Sequence, residues 1–214
     1  MPLKYQVPDD KKVRVIVDSD AACEADDPFA IAHALLCDKF IVKAIFAEHF
    51  NCEGSMKQSF EEIQRVVKAM KKEVPVLVGE IGKLSEKGTG EISEASSFLI
   101  REALREDDKP LYVLCIGAIT NIASAIQACP DIVPHMTVVW IGGQSHEHST
   151  GEVREFNAGN DIEAANLVLG SGVRFWQIPN DVYGSMRISL AEIQMRIAPC
   201  GDCLLYTSDA ADEA

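Results

Sequence analysis

Six short apolar runs punctuate this chain, at residues 13–17, 41–47, 74–78, 111–116, 136–141 and 173–178. Most are near-continuous and rich in Val and Ile, the pattern of strands buried on both faces. Between them, apolar residues recur every three or four positions. Residues 27–37 read as a helix with an apolar face of Phe29, Ile31, Ala32, Leu35 and Leu36 and with Pro28 at an early position. Residues 55–72 read as a long amphipathic helix, N-capped by Ser55 and buried through Ile63, Val66, Val67 and Met70. Helices follow at 92–105, at 119–129 before the stop of Pro130, at 161–170 and, shorter, at 190–197. Residues 1–12 form a polar lead-in, 83–90 a surface loop and 144–160 a long polar loop, while Trp140 and Trp176 fall inside strands and read as core. Strand and helix alternate six times. That predicts an α/β fold, a largely parallel open sheet with helices on both faces.

Composition narrows the picture. A chain of 214 residues that is 47% hydrophobic supports one sizeable core, and residues 1–199 read as a single domain. The last stretch, CGDCLLYTSDAADEA, has no period and resembles translated adapter read-through, so residues 200–214 are expected to be a non-native or disordered tail on a truncated chain. The net charge of −13 argues against nucleic acid and anionic membrane as partners. No signal segment and no membrane-spanning run is visible. Seven cysteines, an odd number without a signal sequence, point to reduced thiols and a cytoplasmic location, and the lone CxxC at Cys200 and Cys203 is a weak metal signal.

The densest chemistry follows the first strand. Asp18, Asp20, Glu24, Asp26 and Asp27 lie within ten residues. Two such charges 4 Å apart at an effective dielectric near 20 repel by about 4 kcal/mol. The cluster therefore either fans into water as a helix-capping loop or wraps a hard cation, Ca²⁺ or Mg²⁺. Ligands of open parallel sheets bind beyond the carboxyl ends of the strands. There the chain places Glu48, His49 and Asn51 after the second strand, and Thr120 and Asn121 after the fourth. Gln144, His146, His148, Glu155 and Asn157 follow the fifth, with Asn180, Asp181 and Tyr183 after the sixth. An EF-hand starting at Asp18 fails, because Cys23 and Phe29 stand where Gly and Glu belong. There is no P-loop, and Gly88-Thr89-Gly90 is no dinucleotide fingerprint. Asp18-Ser19-Asp20 is also similar to the haloacid-dehalogenase phosphatases, whose first Asp is a nucleophile.

Four segments together resemble the nucleoside hydrolase family of inosine/uridine-preferring type. They are Asp18-Ser19-Asp20 with Asp26-Asp27, similar to a DxDxxxDD calcium motif; Ile119-Thr120-Asn121-Ile122-Ala123, similar to LTNIA; Ile141-Gly142-Gly143; and Glu155-Phe156-Asn157 with Asp161-Ile162-Glu163-Ala164-Ala165. The resemblance covers about residues 13–198 and implies a Rossmann-like core. It implies calcium-dependent hydrolysis of the N-glycosidic bond of ribonucleosides, serving purine and pyrimidine salvage. Asp20 would ligate Ca²⁺ and act as general base on a water, with Asp27 and the Thr120 carbonyl as further ligands. Asp26, Asn51, Glu155 and Asn157 would hold the sugar, and Asp18 would support the loop. A nucleoside would be the small-molecule partner, and the full-length protein would form a homo-oligomer.

The chain departs from the family pattern in three places. Five residues instead of three separate Asp20 from the Asp pair, so the loop bulges or Glu24 joins the ion. Ser149 stands where many members carry an Asn. No match to the family's late His-Asp pair occurs before residue 199, which leads us to expect impaired activity in the chain as it stands. The alternatives are a non-catalytic nucleoside- or sugar-binding protein of the same fold and a Mg²⁺-dependent phosphatase. Asn121 reads as a cap or turn residue, Asp161 and Glu163 as first-turn helix charges, and His49, His146 and His148 as surface histidines.

Overall fold

A computed structural model describes residues 6–86, 92–145, 155–197 and 199. Its six strands are β1 (Val13–Ser19), β2 (Phe40–Ala47), β3 (Val76–Leu77), β4 (Leu111–Cys115), β5 (Met136–Ile141) and β6 (Arg174–Ile178). All pair in parallel, in the order β3-β2-β1-β4-β5-β6. The helices are α1 (Asp26–Leu36), α2 (Ser55–Ala69), α3 (Glu94–Ala103), α4 (Thr120–Ala128), α5 (Phe156–Asn160), α6 (Ile162–Gly170), α7 (Asn180–Tyr183) and α8 (Leu190–Glu192). The fold is the expected α/β class. No described helix is long and apolar enough to cross a membrane.

Side chains alternate across each strand, so every central strand feeds two cores. Val15, Val17, Ile45 and Ala47 pack with Ile31 of α1 and with Ile63 and Val67 of α2. Ile16, Phe46, Val113, Cys115 and Trp140 pack on the other face with Leu99 of α3, Ile122 of α4 and Val168 of α6. The same parity decides where the polar ends of β1 point. Asp18 follows Ile16 onto the α3/α4 face, and Ser19 follows Val17 onto the α1 face.

Several expectations need correction. α1 buries Ile31 and Ala34, whereas Phe29 is 42% and Leu36 63% exposed, because only one narrow stripe of an 11-residue helix meets the sheet. Ser55 is the first residue of α2, not its cap; the cap position is Gly54 at φ 75°, and the Ser55 hydroxyl instead accepts the Phe50 N–H at 3.1 Å. Residues 156–160, read as loop, form α5. Trp176 is 53% exposed, since β6 is the edge strand. Trp140 is core as expected, its indole N–H donating to Gly117 O at 2.9 Å.

Candidate active site

Strand order reverses at β1, which has β2 on one side and β4 on the other. A crevice opens at such a point because the connections leave in opposite directions. The acid-rich loop after β1, the 48–51 segment after β2 and the 117–121 turn after β4 all reach it.

Asp27 sits in the first turn of α1, buried, and accepts the Ser19 hydroxyl at 2.5 Å. Asp18 points the other way, where Asn121 Nδ2 donates to its Oδ1 at 2.8 Å. Asp20 is 2% exposed between them. Gly117 follows β4 where two of the acids close in: a Cβ there would lie 3.1 Å from Asp20 Cγ and 3.2 Å from Glu48 Cγ. Glu48 is fully buried, its Oε2 accepting the Asn121 N–H at 3.1 Å and its Oε1 the His49 N–H at 3.1 Å.

These acids are held without countercharge. Burial pushes the Asp18 carboxyl up to about 7, against hydrogen bonds that favour its charge. Burial, then the Asp27 charge, pushes Asp20 up to about 9. Burial pushes Asp27 up to about 7, opposed by the Ser19 hydrogen bond. Glu48 is raised well above its ordinary value by burial and by Asp18. Among the described residues no Lys or Arg pairs with any of the four, and Glu48 has the His49 ring 3.7 Å away. Asp18 Oδ2 is buried and meets no donor among the described residues unless the neighbouring Glu48 carboxyl carries a proton. Desolvated carboxylates of this kind either carry protons or await a cation. The all-oxygen donor set of Asp20 and Asp27 fits a hard divalent ion. No three described His, Cys, Asp or Glu side chains converge into a complete metal cluster by themselves, so carbonyl or water oxygens would have to complete the coordination.

The remaining expected residues divide. Asp26 and Glu24 are exposed, with the Glu24 carboxyl raised by partial burial and by Asp26. Asn51 is exposed at φ 57°, a left-handed conformation that Asn tolerates. Thr120 opens α4 and is fully buried; its hydroxyl donates to Asp161 Oδ2 at 2.8 Å. Before it stands Ile119 at φ 69°, a strained conformation for a β-branched residue that costs roughly 1–3 kcal/mol. Asn157 donates to Ile141 O at 2.9 Å, leaving its carbonyl oxygen without a described partner. Glu155 is different. Gly143 N, Ala158 N, Asn157 N and Tyr183 OH donate to it at 2.6, 2.8, 3.0 and 2.8 Å, which fills the four lone-pair sites of a carboxylate. It is built to organise the rim, so direct sugar contact by Glu155 would require displacing a donor.

Asn121 is no cap. Its amide bridges Asp18 and Ala47 O, at 2.8 and 3.1 Å, while its Oδ1 accepts Glu80 N–H at 2.7 Å. Gly79 permits this approach, because a Cβ there would lie 1.9 Å from Ala47 O and 2.6 Å from the Asn121 amide. His49 is no surface residue either: it is fully buried, 2.8 Å from the Thr120 hydroxyl. Asp161 does N-cap α6, accepting Ala164 N–H at 3.0 Å, but also takes Leu84 N–H at 2.7 Å. The burial of Asp18 behind Asn121 disfavours it as a nucleophile. Sequence reasoning gave no role to Glu48 and Glu80, both buried. Their signal is an acid directly after an apolar strand, where no surface explains it. His146, His148, Ser149, Cys200, Cys203 and the 200–214 tail lie outside the described residues.

A doubly wound parallel sheet with oxygen donors gathered at its switch point defines an α/β protein with a site for a polar ligand. Residues 15–208 match the inosine-uridine preferring nucleoside hydrolase family, and the chain belongs to that family. It is 36% identical over 91 residues to the non-specific ribonucleoside hydrolase RihC of Escherichia fergusonii, an alignment spanning 42% of this chain and 30% of that protein. Against RihC of Escherichia coli O127:H6 it is 34% identical over 84 residues, 39% of this chain and 28% of that one. The fold is similar to that of a purine-preferring ribonucleoside hydrolase from Gardnerella vaginalis, with TM-score 0.71, 22% identity, and 93% of this chain and 71% of that one covered. An inosine-guanosine nucleoside hydrolase superposes with TM-score 0.70 at 22% identity over 86% of this chain and 64% of that one. The sequence alignments thus span less than a third of the curated relatives' length.

Proposed function

We propose that the full-length protein hydrolyses the N-glycosidic bond of ribonucleosides to ribose and free base in a calcium-dependent reaction. The observation that carries this reading is the set of buried carboxylates without countercharge, Asp18, Asp20 and Asp27, at the switch point of a chain in this family. Asp20, Asp27 and the Thr120 carbonyl would hold Ca²⁺. The ion would supply charge neutralisation, a fixed seat for ribose hydroxyls and a more acidic water.

The chain's own groups do the rest. Burial raises Asp20 in the absence of a cation; with its charge compensated by a bound ion it would be ionised, and a carboxylate oxygen would accept the proton of the attacking water. Bond cleavage develops positive charge on the sugar, and the negative rim favours it. Asp26, exposed at the start of α1, and Asn51 are free to bind ribose hydroxyls. The Asn157 carbonyl oxygen accepts a further hydroxyl, and Glu155 keeps Asn157 and Tyr183 in place. Glu24 lies on the same loop and is an accessory oxygen donor. We place the protein in the cytoplasm as a homo-oligomer with no nucleic-acid partner, in keeping with its charge of −13.

The test is incubation of the full-length protein with inosine, uridine and p-nitrophenyl phosphate, with calcium or with EDTA. Ribose release that EDTA abolishes supports the proposal, and the present chain assayed in parallel should turn over far more slowly. Nucleoside binding without ribose release would make this a binding protein. Phosphate release would return the phosphatase reading.

A further inference from the structure

We infer that His49 is a positioning residue that couples the sugar-holding Asn51 to the Thr120 turn through one buried hydrogen-bonded chain. This inference rests on the hydrolase reading for its kinetic consequences only; the chain itself is read from geometry.

Four groups are linked in sequence. Asp161 Oδ2 accepts the Thr120 hydroxyl at 2.8 Å and the Leu84 N–H at 2.7 Å. His49 Nε2 lies 2.8 Å from the same Thr120 oxygen. His49 Nδ1 accepts the Asn51 N–H at 3.2 Å. The proton positions follow from the donors available. A hydroxyl has one proton, and Thr120 gives it to a carboxylate already accepting two backbone N–H groups. The Thr120 oxygen is then an acceptor, so His49 must donate from Nε2. Nδ1 receives the Asn51 N–H and must therefore be bare. The ring carries its proton on Nε2, a tautomer set by both neighbours at once. Glu48 Oε1 stands 3.7 Å from Nε2, too far to take that hydrogen bond.

The backbone is left-handed at two places along the chain. Asn51 is held at φ 57° and Ile119, next to Thr120, at φ 69°. Left-handed residues that are not glycine persist where surroundings over-determine them. Asn51 is exposed, and among the described residues it is held through its backbone N–H, so the His49 ring fixes the backbone from which its carboxamide projects. Thr120, His49 and Asp161 are at most 1% exposed, so water offers them no substitute partners. The chain ties the ends of β2 and β4 to the start of α6.

Two substitutions cut the chain at different links. Asn in place of His49 retains an acceptor near the Nδ1 position but reaches no donor to Thr120. Gln retains a donor near the Nε2 position but loses the acceptor for Asn51. In the full-length protein, His49→Gln should raise KM for inosine about tenfold with kcat nearly kept, because Asn51 loses its orientation. His49→Asn should weaken calcium binding about tenfold by titration calorimetry, as loss of a supporting contact to a metal ligand does. Thr120→Val should reproduce the calcium defect and Thr120→Ser should restore wild-type affinity, which a mere packing role would not predict. Equal effects of His49→Gln and His49→Asn on KM and on calcium affinity, or no rescue by Thr120→Ser, would overturn the coupling. Nitrogen NMR of the imidazole gives a readout free of activity. An Nε2–H tautomer supports the chain, and an Nδ1–H tautomer defeats it. If the wild-type protein neither binds calcium nor releases ribose, the hydrolase reading fails while the NMR result still judges the chain.

Discussion

The two ends of the sheet bury acids in opposite ways. At the amino end of β1, Arg14 is 4% exposed and pairs with Glu102 Oε1 at 3.0 Å, while its guanidinium also donates to Glu102 O and Lys109 O, each at 2.9 Å. Asp107 stands 3.8 Å from Arg14 and 3.4 Å from Arg105, and it is held below its ordinary value by the Lys109 N–H and these cations. Arg14, Lys43, Arg105 and Lys109 each pair with an acid there, and the open depression of 510 Å³ that they line with Glu106, Asp107 and Asp108 is a surface of mixed charge. At the carboxyl end, Asp18, Asp20, Asp27 and Glu48 have hydrogen-bond donors but no cation, and all are shifted up. The same residue types thus serve as structural clamps at one pole and stand buried and uncompensated at the other. The difference lies in what was supplied alongside them, not in the acids themselves.

The comparison can be broken from either end. The largest effect belongs to Asp20→Ala in the full-length protein: ribose release should fall about 10³-fold, with calcium affinity lowered. Near-normal turnover in a steady-state assay would remove Asp20 from the proton step. At the other pole, Arg14→Met removes the nearest of three cations around Glu102, whose side chain is 8% exposed, and leaves Lys43 at 3.9 Å and Arg105 at 3.7 Å. Denaturant unfolding should show a loss of about 1.5–3 kcal/mol, the range for a charge-assisted hydrogen bond, with kcat/KM unchanged in the folded fraction.

Calcium addition sharpens the contrast. At a hundredfold excess over Kd it should stabilise by about 2.7 kcal/mol, raising Tm by roughly 5–10 °C. The sign of the pH dependence is fixed by the upward shifts. Asp18, Asp20 and Asp27 ionise near 3.8 in the unfolded chain but near 7, 9 and 7 when folded without a cation. The folded state therefore holds more protons through that window, and stability in EDTA falls as pH rises from about 4 to 9. Calcium should flatten that slope, most strongly at the alkaline end of a melting series. A Tm in EDTA that rises with pH would show that the acids are not buried uncompensated. The smallest effect is the control. Lys57→Ala removes an exposed 3.8 Å pair with Glu61 on α2 and should move Tm by less than about 1 °C.

Much of this was legible before any fold was known. The helical spacing of Ile63 and Val67 and the near-continuous apolar runs of β1 and β5 are local signals, and they marked helix and strand correctly. The acid cluster after β1 was legible for the same reason. Asn121 and His49 were misread because their partners, Asp18 and Thr120, lie 103 and 71 residues away. A polar residue after a strand looks alike in sequence whether it faces solvent or an acid brought in by another crossover. Trp176 was misread for the converse reason: an apolar strand residue is core only if a layer covers it, and β6 lies at an edge.

Sequence alone determined the alternation of strand and helix, the dense carboxylates of the 18–27 segment and the family motifs, because each depends on neighbours along the chain. Tertiary structure alone decided which acids lose water, which amide bridges them and which ring nitrogen keeps its proton. Those depend on strand order and on the parity that turns Asp18 toward α4 and Ser19 toward α1, and burial is set by what packs alongside rather than by what comes next.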